Sequence, residues 1–261
     1  MTFRIGGRKI KLSHLALQLL GLIRLLPNAV IFSHPFAVLK TYCTKKNIPG
    51  YIRLKNGFQI ALSSHSDDIV TVMVVFCKHD YGSDLAGKNI IDIGANIGAF
   101  SLFAAYKDAK KIVAIEPGQE AILTLKKSIE ANSLQKRITA IQAAVTAVDG
   151  GVLHFPTLSS PNNKPTNIGT NTVEVPTVTL RTIINNHFNS PVDMLKMDCE
   201  GGEYDILYNT DKHTLALIRE IRMELHGPKQ DKDALLNYLQ QNGFRLNKYR
   251  HDNAWLTNTL T

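Results

Sequence analysis

Six residues of this chain pair acid–base or ligand-holding chemistry with a telling position: Asp92, Glu116, Asp198, Glu200, Glu224 and His226. Each falls in, or just past, a short apolar run of the kind that buried parallel strands show. Ligands in open α/β sheets bind outside the carboxyl ends of the strands. The pattern therefore predicts one cleft on which all six converge. Carboxylates there can take an ammonium or a pair of hydroxyls, and a histidine that titrates near neutrality can move a proton.

The turn after Asp92 narrows the ligand. Asp92-Ile-Gly94-Ala-Asn96-Ile-Gly98 follows the apolar run from Asn89, and Phe100 to Ala105 reads as a helix. Strand, glycine turn and helix make the first half of a nucleotide-binding βαβ unit, with backbone open to close approach and free N–H groups at the helix start. A dinucleotide fingerprint needs Gly-x-Gly-x-x-Gly; here Asn96 and Ala99 stand where its second and third glycines belong. A Walker loop is excluded because no Gly-Lys-Ser/Thr follows. An acid beside the turn repels a pyrophosphate and suits a cationic amine, such as the amino-acid end of S-adenosylmethionine. Glu116, followed by Pro117, ends the next apolar run 24 residues after Asp92. An acid at that spacing is placed to take two ribose hydroxyls.

The elements that must carry these residues follow from the hydrophobic pattern. Strands are predicted at 90–93, 112–115 and 138–144, with helices at 97–106 and 119–131 between and after them. Gly150-Gly151 with 152–155 predicts a hairpin, 159–172 a long binding loop or lid, 173–178 a strand and 180–188 a helix. The strand ending at Asp198 leads through glycines into another helix. The strand from Ile221 carries Glu224 and His226 at its tip; a helix at 231–241 and strands at 244–249 and 254–257 close the chain. This alternation means a mostly parallel sheet with helices on both faces.

Upstream, 51–62 alternates around Asn56-Gly57, a strong hairpin signal, and 67–78 reads as a helix. Residues 9–26 have a helical apolar period ended by Pro27, and a short helix is expected over 35–46. The division expected is a basic extension, 1–66, ahead of a catalytic domain, 67–261.

The net charge of +8 resides in that extension, since ten Lys and Arg and no Asp or Glu precede Asp67. A basic amphipathic helix at 9–26 fits docking on the domain or on an anionic membrane surface. The same charge suits an acceptor carried on a phosphate, such as a nucleotide-linked sugar or lipid-linked glycan. Three scattered cysteines, Cys43, Cys77 and Cys199, argue against a disulfide scaffold and a structural zinc site and fit a reducing, cytoplasmic setting. No signal peptide or spanning helix is read.

The motifs Ile91-Asp-Ile-Gly-Ala-Asn-Ile-Gly-Ala-Phe-Ser, Ile115-Glu-Pro, Leu195-Lys-Met-Asp-Cys-Glu-Gly-Gly-Glu-Tyr and Met223-Glu-Leu-His-Gly resemble, in order and spacing, the FkbM family of S-adenosylmethionine-dependent methyltransferases. The match covers roughly 67–250; Gly202 stands where that family more often has alanine. The resemblance implies a doubly wound, mostly parallel seven-stranded class I methyltransferase (Rossmann-like) sheet. It also implies O-methylation of a hydroxyl on a sugar, glycolipid or other natural product. Asp92, Gly94, Asn96, Gly98, Glu116, Pro117 and Asp198 are then donor-binding candidates, and by their position at the end of the third strand Ala143 and Ala144 are expected to flank the adenine.

An alcohol is a poor nucleophile near neutral pH, so a base or a metal must assist. His226 is the natural base. Asp198 and Glu200 are alternatives, or could hold a divalent cation with Glu224. Lys196 is expected to pair with Glu200 or Glu203, acids otherwise explained by a helix N-terminus, and Cys199 to be a buried thiol. The rival readings are a nicotinamide-dependent oxidoreductase, disfavoured by the missing glycines, and a non-catalytic membrane-peripheral binding protein. A nucleic-acid partner is not expected, because no aromatic-interleaved basic stripe and no Asn/Asp-Pro-Pro-Tyr sequence is found.

Overall fold

The computed structural model describes residues 2–5, 8–11, 25–63, 65–157, 165 and 171–260. Strands β1 (Thr2–Ile5) and β2 (Arg8–Lys11) pair antiparallel. Helical residues 25–29 (α1) follow, then helix α2 (Pro35–Thr44) and the hairpin β3 (Tyr51–Arg53) and β4 (Gln59–Ala61). The amphipathic helix expected at 9–26 is corrected at its start, where 9–11 belong to β2, and at its end, where the helix runs through Pro27 to Ala29. Its middle, 12–24, lies outside the described residues.

Helix α3 (Asp67–Met73) continues into a π turn, Val74–Lys78. The βα alternation then runs β5 (Asn89–Ile93), α4 (Ala99–Tyr106), β6 (Lys111–Ile115), α5 (Gln119–Ala131) and β7 (Ile138–Ile141). A side sheet follows, made of β8 (Ala144–Val145), β9 (Val152–Pro156) and β10 (Thr172–Val178). Last come α6 (Leu180–His187), β11 (Met194–Met197), α7 (Glu203–Tyr208), α8 (Lys212–Ala216), β12 (Glu220–Glu224), α9 (Lys229–Gln241), β13 (Phe244–Arg250) and β14 (Asn253–Asn258).

Seven strands form one sheet in the order β13-β14-β12-β11-β5-β6-β7, with β14 antiparallel to both its neighbours and the rest parallel. This is the doubly wound class I methyltransferase arrangement expected. Successive strand residues point to opposite faces. Ile90, Ile112 and Met194 accordingly join one core with α4, α5 and the upstream residues Leu25, Phe32, Leu54 and Ile60. Ile91, Ile93, Val113, Leu195 and Met197 join another beneath α6, α7 and α9. The hairpin is also tied to α5 by polar bonds, with Ala61 N–H donating to Ser128 Oγ and Gln59 N–H to Asn132 Oδ1 at 2.8 Å each.

Two expected elements change. The strand predicted at 138–144 stops at Ile141, and Ala144–Val145 leave the main sheet to pair parallel with β10. Gly150-Gly151 do not turn a local hairpin: β9 pairs antiparallel with β10, across the long loop. Most of that loop lies outside the described residues. The helix expected from 97 starts at Ala99, because Asn96 and Gly98 adopt left-handed backbone, φ 51° and 80°.

The turn itself is tightly built. Gly94 and Ala95 N–H groups donate to the Ile115 carbonyl at 3.0 and 3.1 Å, tying the end of β5 to the end of β6. Gly94 has φ +71°, and a Cβ there would collide with the Asp198 carbonyl. Gly57, in the hairpin turn, also has positive φ but faces open space. Gly57→Ala should therefore lose only the left-handed cost, about 1–2 kcal/mol. Gly94→Ala adds an overpacking cost of about 1–3 kcal/mol on rigid backbone. Urea unfolding of the two variants checks this; equal losses would contradict the collision.

Candidate active site

The carboxyl ends of β5, β6, β11 and β12 open into a cavity of about 720 Å³. Its floor is the Gly94–Asn96 turn. One end carries Glu116, Pro117, Ala143 and Ala144 with Leu153 and Phe155 of the side sheet, and the other carries Asp198, Glu200, Glu224 and His226. A third wall, from upstream, consists of Thr71, Val75 and Tyr81 beside Phe100.

Two candidate residues stand elsewhere than expected. Asp92 is fully buried and does not line the cavity. It shares the β5 face of Ile90, turned toward α4, where Ser101 Oγ donates to its Oδ2 at 2.7 Å and Lys196 Nζ lies 3.0 Å from its Oδ1. The direct grip on a ligand ammonium read from the sequence is thus corrected: Asp92 anchors the turn from below. Gly98 also lies behind the cavity; a Cβ on it would run into Leu125 of α5, so its role is packing.

Lys196 was expected to pair with Glu200 or Glu203 beyond the strand end; it pairs instead with Asp92 of the neighbouring strand, at 3.0 Å. It lies directly across from Asp92 in the β5–β11 register and donates to the Gly94 carbonyl at 2.9 Å. Burial pushes its ammonium pKa down, but Asp92 and Asp198 more than offset that and raise it. One protonated side chain therefore joins the buried acid, the glycine turn and the cavity.

Glu116 is nearly buried at the tip of β6. Its Oε2 accepts from Asn96 N–H and its Oε1 from Gly118 N–H, each at 2.8 Å. Burial raises its carboxyl above the usual range against the pull of those two donors. Asn96 thus serves through its left-handed backbone, which aims its N–H at Glu116.

His226 and the acids form the opposite corner. His226 Nδ1 lies 3.0 Å from Oε1 of Glu203, a residue with no exposed surface that also accepts from Cys199 N–H at 3.0 Å. His226 Nε2 faces Glu200 Oε2 at 3.7 Å and Asp198 Oδ1 at 3.9 Å. The Glu203 bond raises the imidazole to about 9 despite partial burial, with Glu200 and Asp198 contributing. Glu203 moves the other way: burial pushes it up, and the bonds from His226 and backbone N–H groups more than reverse that. Burial and the nearby Asp198 raise Glu224. Asp198, Glu200 and His226 each offer a ligand atom within 4.8 Å of the others, so this trio could hold a metal ion. Cys199 is a poor nucleophile, its thiol driven well up by burial and by Glu203.

Sequence reasoning missed Tyr81, whose hydroxyl donates to Asp198 Oδ2 at 3.0 Å, and Glu203 as the partner of His226. No sequence signal marks Tyr81; its segment only leads toward β5. Glu203 was visible as an acid at a helix start, a place where charge is ordinarily explained by the helix dipole. The long loop contributes Pro165 to the cavity. The basic residues between 25 and 66 do not line it. Among the described residues no helix is long and apolar enough to cross a membrane.

The model of the methyltransferase FkbM domain matches residues 92–246, more than half of the chain. A methyltransferase of Sordaria araneosa, sdnD, is 25% identical over 211 residues, 67% of this chain and 82% of that protein. The tRNA (guanine(37)-N(1))-methyltransferase Trm5b of Methanocaldococcus jannaschii is 32% identical over 122 residues, 40% of this chain and 36% of that protein. Among solved structures, methyltransferase FkbM from Methylobacillus flagellatus KT matches at TM-score 0.46 and 13% identity, over 85% of this chain and 58% of that one. The METTL16 methyltransferase domain matches at TM-score 0.47 and 14% identity, over 86% and 91%. With the family's motifs spread over four strand ends of one cavity, the chain belongs to the FkbM family of S-adenosylmethionine-dependent methyltransferases.

Proposed function

We propose that this methyltransferase acts on a hydroxyl of a sugar, glycolipid or similar natural product, with His226 as the base that takes the hydroxyl proton. The observation that carries this reading is the His226–Glu203 pair facing the cavity. A hydroxyl must lose its proton as it accepts the methyl, and the pair sets one imidazole nitrogen toward the cavity while the other is held from behind. S-adenosylmethionine supplies an already activated methyl on a sulfonium, so the protein's work is to align the acceptor and manage its proton.

The donor fits the residues present. Glu116 at the tip of β6 takes the ribose diol, and the Gly94–Asn96 backbone, which lines the cavity, meets the amino-acid end. Asp92 being turned away, Asp198 is the acid that faces the glycine turn from within the cavity, and it receives the ammonium. Ala143 and Ala144, with Phe155 opposite, bound the flat apolar end suited to adenine. That leaves Glu200, Glu224 and His226 for the acceptor, beneath the wall of Thr71 and Val75.

A hydroxyl acceptor is favoured over a nucleic-acid base because β11 leads into Asp198-Cys199-Glu200 and lacks the Asn/Asp-Pro-Pro-Tyr sequence used on extruded bases. The Trm5b likeness spans too little of that protein to bring its tRNA substrate here. A second reading follows from the Asp198, Glu200 and His226 trio, in which a divalent cation polarises the hydroxyl.

Three outcomes are expected. Glu116→Ala should weaken S-adenosylhomocysteine binding by calorimetry by about 1.5–3 kcal/mol, the worth of charged hydrogen bonds; unchanged affinity would remove the ribose assignment. His226→Gln should keep that affinity and lose turnover. A base works only when deprotonated, so wild-type turnover should rise with pH toward about 9 and the variant should lose that rise. The stability effect has the opposite sign, because the raised pKa stabilises the fold fully below 6.5 and less as pH climbs through about 9. Full activity in His226→Gln would refute the base. Under exhaustive chelation activity should persist; loss restored by magnesium or manganese would instead make the trio a cation site.

A further inference from the structure

Across the face of the main sheet that carries Asp92 runs a row of side chains in register. Asp92 of β5 is opposite Lys196 of β11, Lys196 is opposite Arg222 of β12, and Arg222 is opposite Trp255 of β14. Arg222 is nearly buried, its guanidinium 4.5 Å from the Trp255 ring centre, with a 2.8 Å ion pair to Glu220. Lys248 covers the same ring at 4.0 Å. A planar cation stacked on an indole is held at little entropic cost.

The free edge of that guanidinium donates to the backbone carbonyl of Tyr81. Gly82 makes room for it: its φ is +81°, and a Cβ there would strike Arg222 Nη1 and approach Trp255. Tyr81 is thus fastened at its backbone from outside the cavity. Its ring meets Phe100 edge-on at 5.4 Å and lies 5.4 Å from Lys196 Nζ. Its hydroxyl takes up Asp198 Oδ2 and leaves Oδ1 on the side of His226. Burial and the neighbouring acids, Asp198 first and then Glu224 and Asp92, hold the phenol well above its ordinary pKa, so it remains a donor.

We infer that Tyr81, pinned through its carbonyl by the Arg222–Trp255 stack, is a positioning residue that presents Asp198 to the amino-acid end of the methyl donor. The inference rests on the donor reading above, with Asp198 as the acid that meets the ammonium. It gives a function to a stretch before the first core strand. It also explains why a tryptophan on the antiparallel strand β14 and an arginine on β12, neither of which lines the cavity, sit in one row with Lys196.

The test compares two ligands by calorimetry on the full chain: S-adenosylhomocysteine, and 5′-methylthioadenosine, which keeps the nucleoside and lacks the amino acid. Tyr81→Phe removes only a hydroxyl. It should weaken S-adenosylhomocysteine about tenfold, roughly one charge-assisted hydrogen bond, and leave methylthioadenosine within twofold. Turnover at saturating donor should stay within about threefold, so that the effect appears in KM. Arg222→Met should reproduce the same selective loss, and the double variant should lose no more than the larger single, because both act through one contact. Equal weakening of both ligands, or no weakening of either, in Tyr81→Phe overturns the inference, and does so whether or not Arg222→Met folds. Failure of the wild-type chain to bind either ligand would instead overturn the donor reading beneath it.

Discussion

The buried ion pair between Asp92 and Lys196 is the constraint around which the rest of the site is arranged. Neither group could stay in that interior alone, since an unpaired buried charge is worth several kcal/mol of instability. Together they join β5 to β11 at the level where both strands end. The ammonium also reaches the Gly94 carbonyl, so the pair fixes the turn that lines the cavity. Ser101 closes the arrangement from α4. A glycine at 94 is then required, because the turn is pulled so near β11 that the Asp198 carbonyl occupies the space of a side chain.

From this pair polarity spreads in two directions. Across the sheet it continues through Arg222 to Trp255 and returns to the cavity through Tyr81. Along the strand ends it continues through Asp198 to His226, whose far nitrogen is held by Glu203 beneath it. The outcome is a cavity lined by one carboxylate, Glu116, oriented by one backbone donor on each oxygen, and by a cluster of carboxylates around one raised imidazole. That end of the cavity, rich in carboxylates, complements a positively charged ligand.

Much of this was legible in the sequence. The alternation of apolar runs and helical segments established the parallel sheet. Glu116, Asp198, Glu224 and His226 lie on one cavity as their strand-end positions required. Asp92 shows where such reading stops. Its place before the turn is a ligand-binding place, but strand parity turns it to the face of Ile90, and only the register with β11 shows that Lys196 awaits it there. Tyr81 was hidden for another reason: nothing local distinguishes it, and its position depends on a guanidinium 141 residues away. The side sheet escaped because β9 and β10 pair across a long loop, whereas the glycines at 150 and 151 advertised a closer partner.

A double-mutant cycle on equilibrium unfolding, with Asp92→Asn, Lys196→Met and the two together, separates a coupled pair from two independent buried groups. If the pair holds the turn, each single change should cost about 3–5 kcal/mol, since it strands the other group. The double change should then cost clearly less than the sum, by about 2 kcal/mol or more. Simple additivity of the two losses would contradict the account and make Asp92 and Lys196 independent occupants of the core.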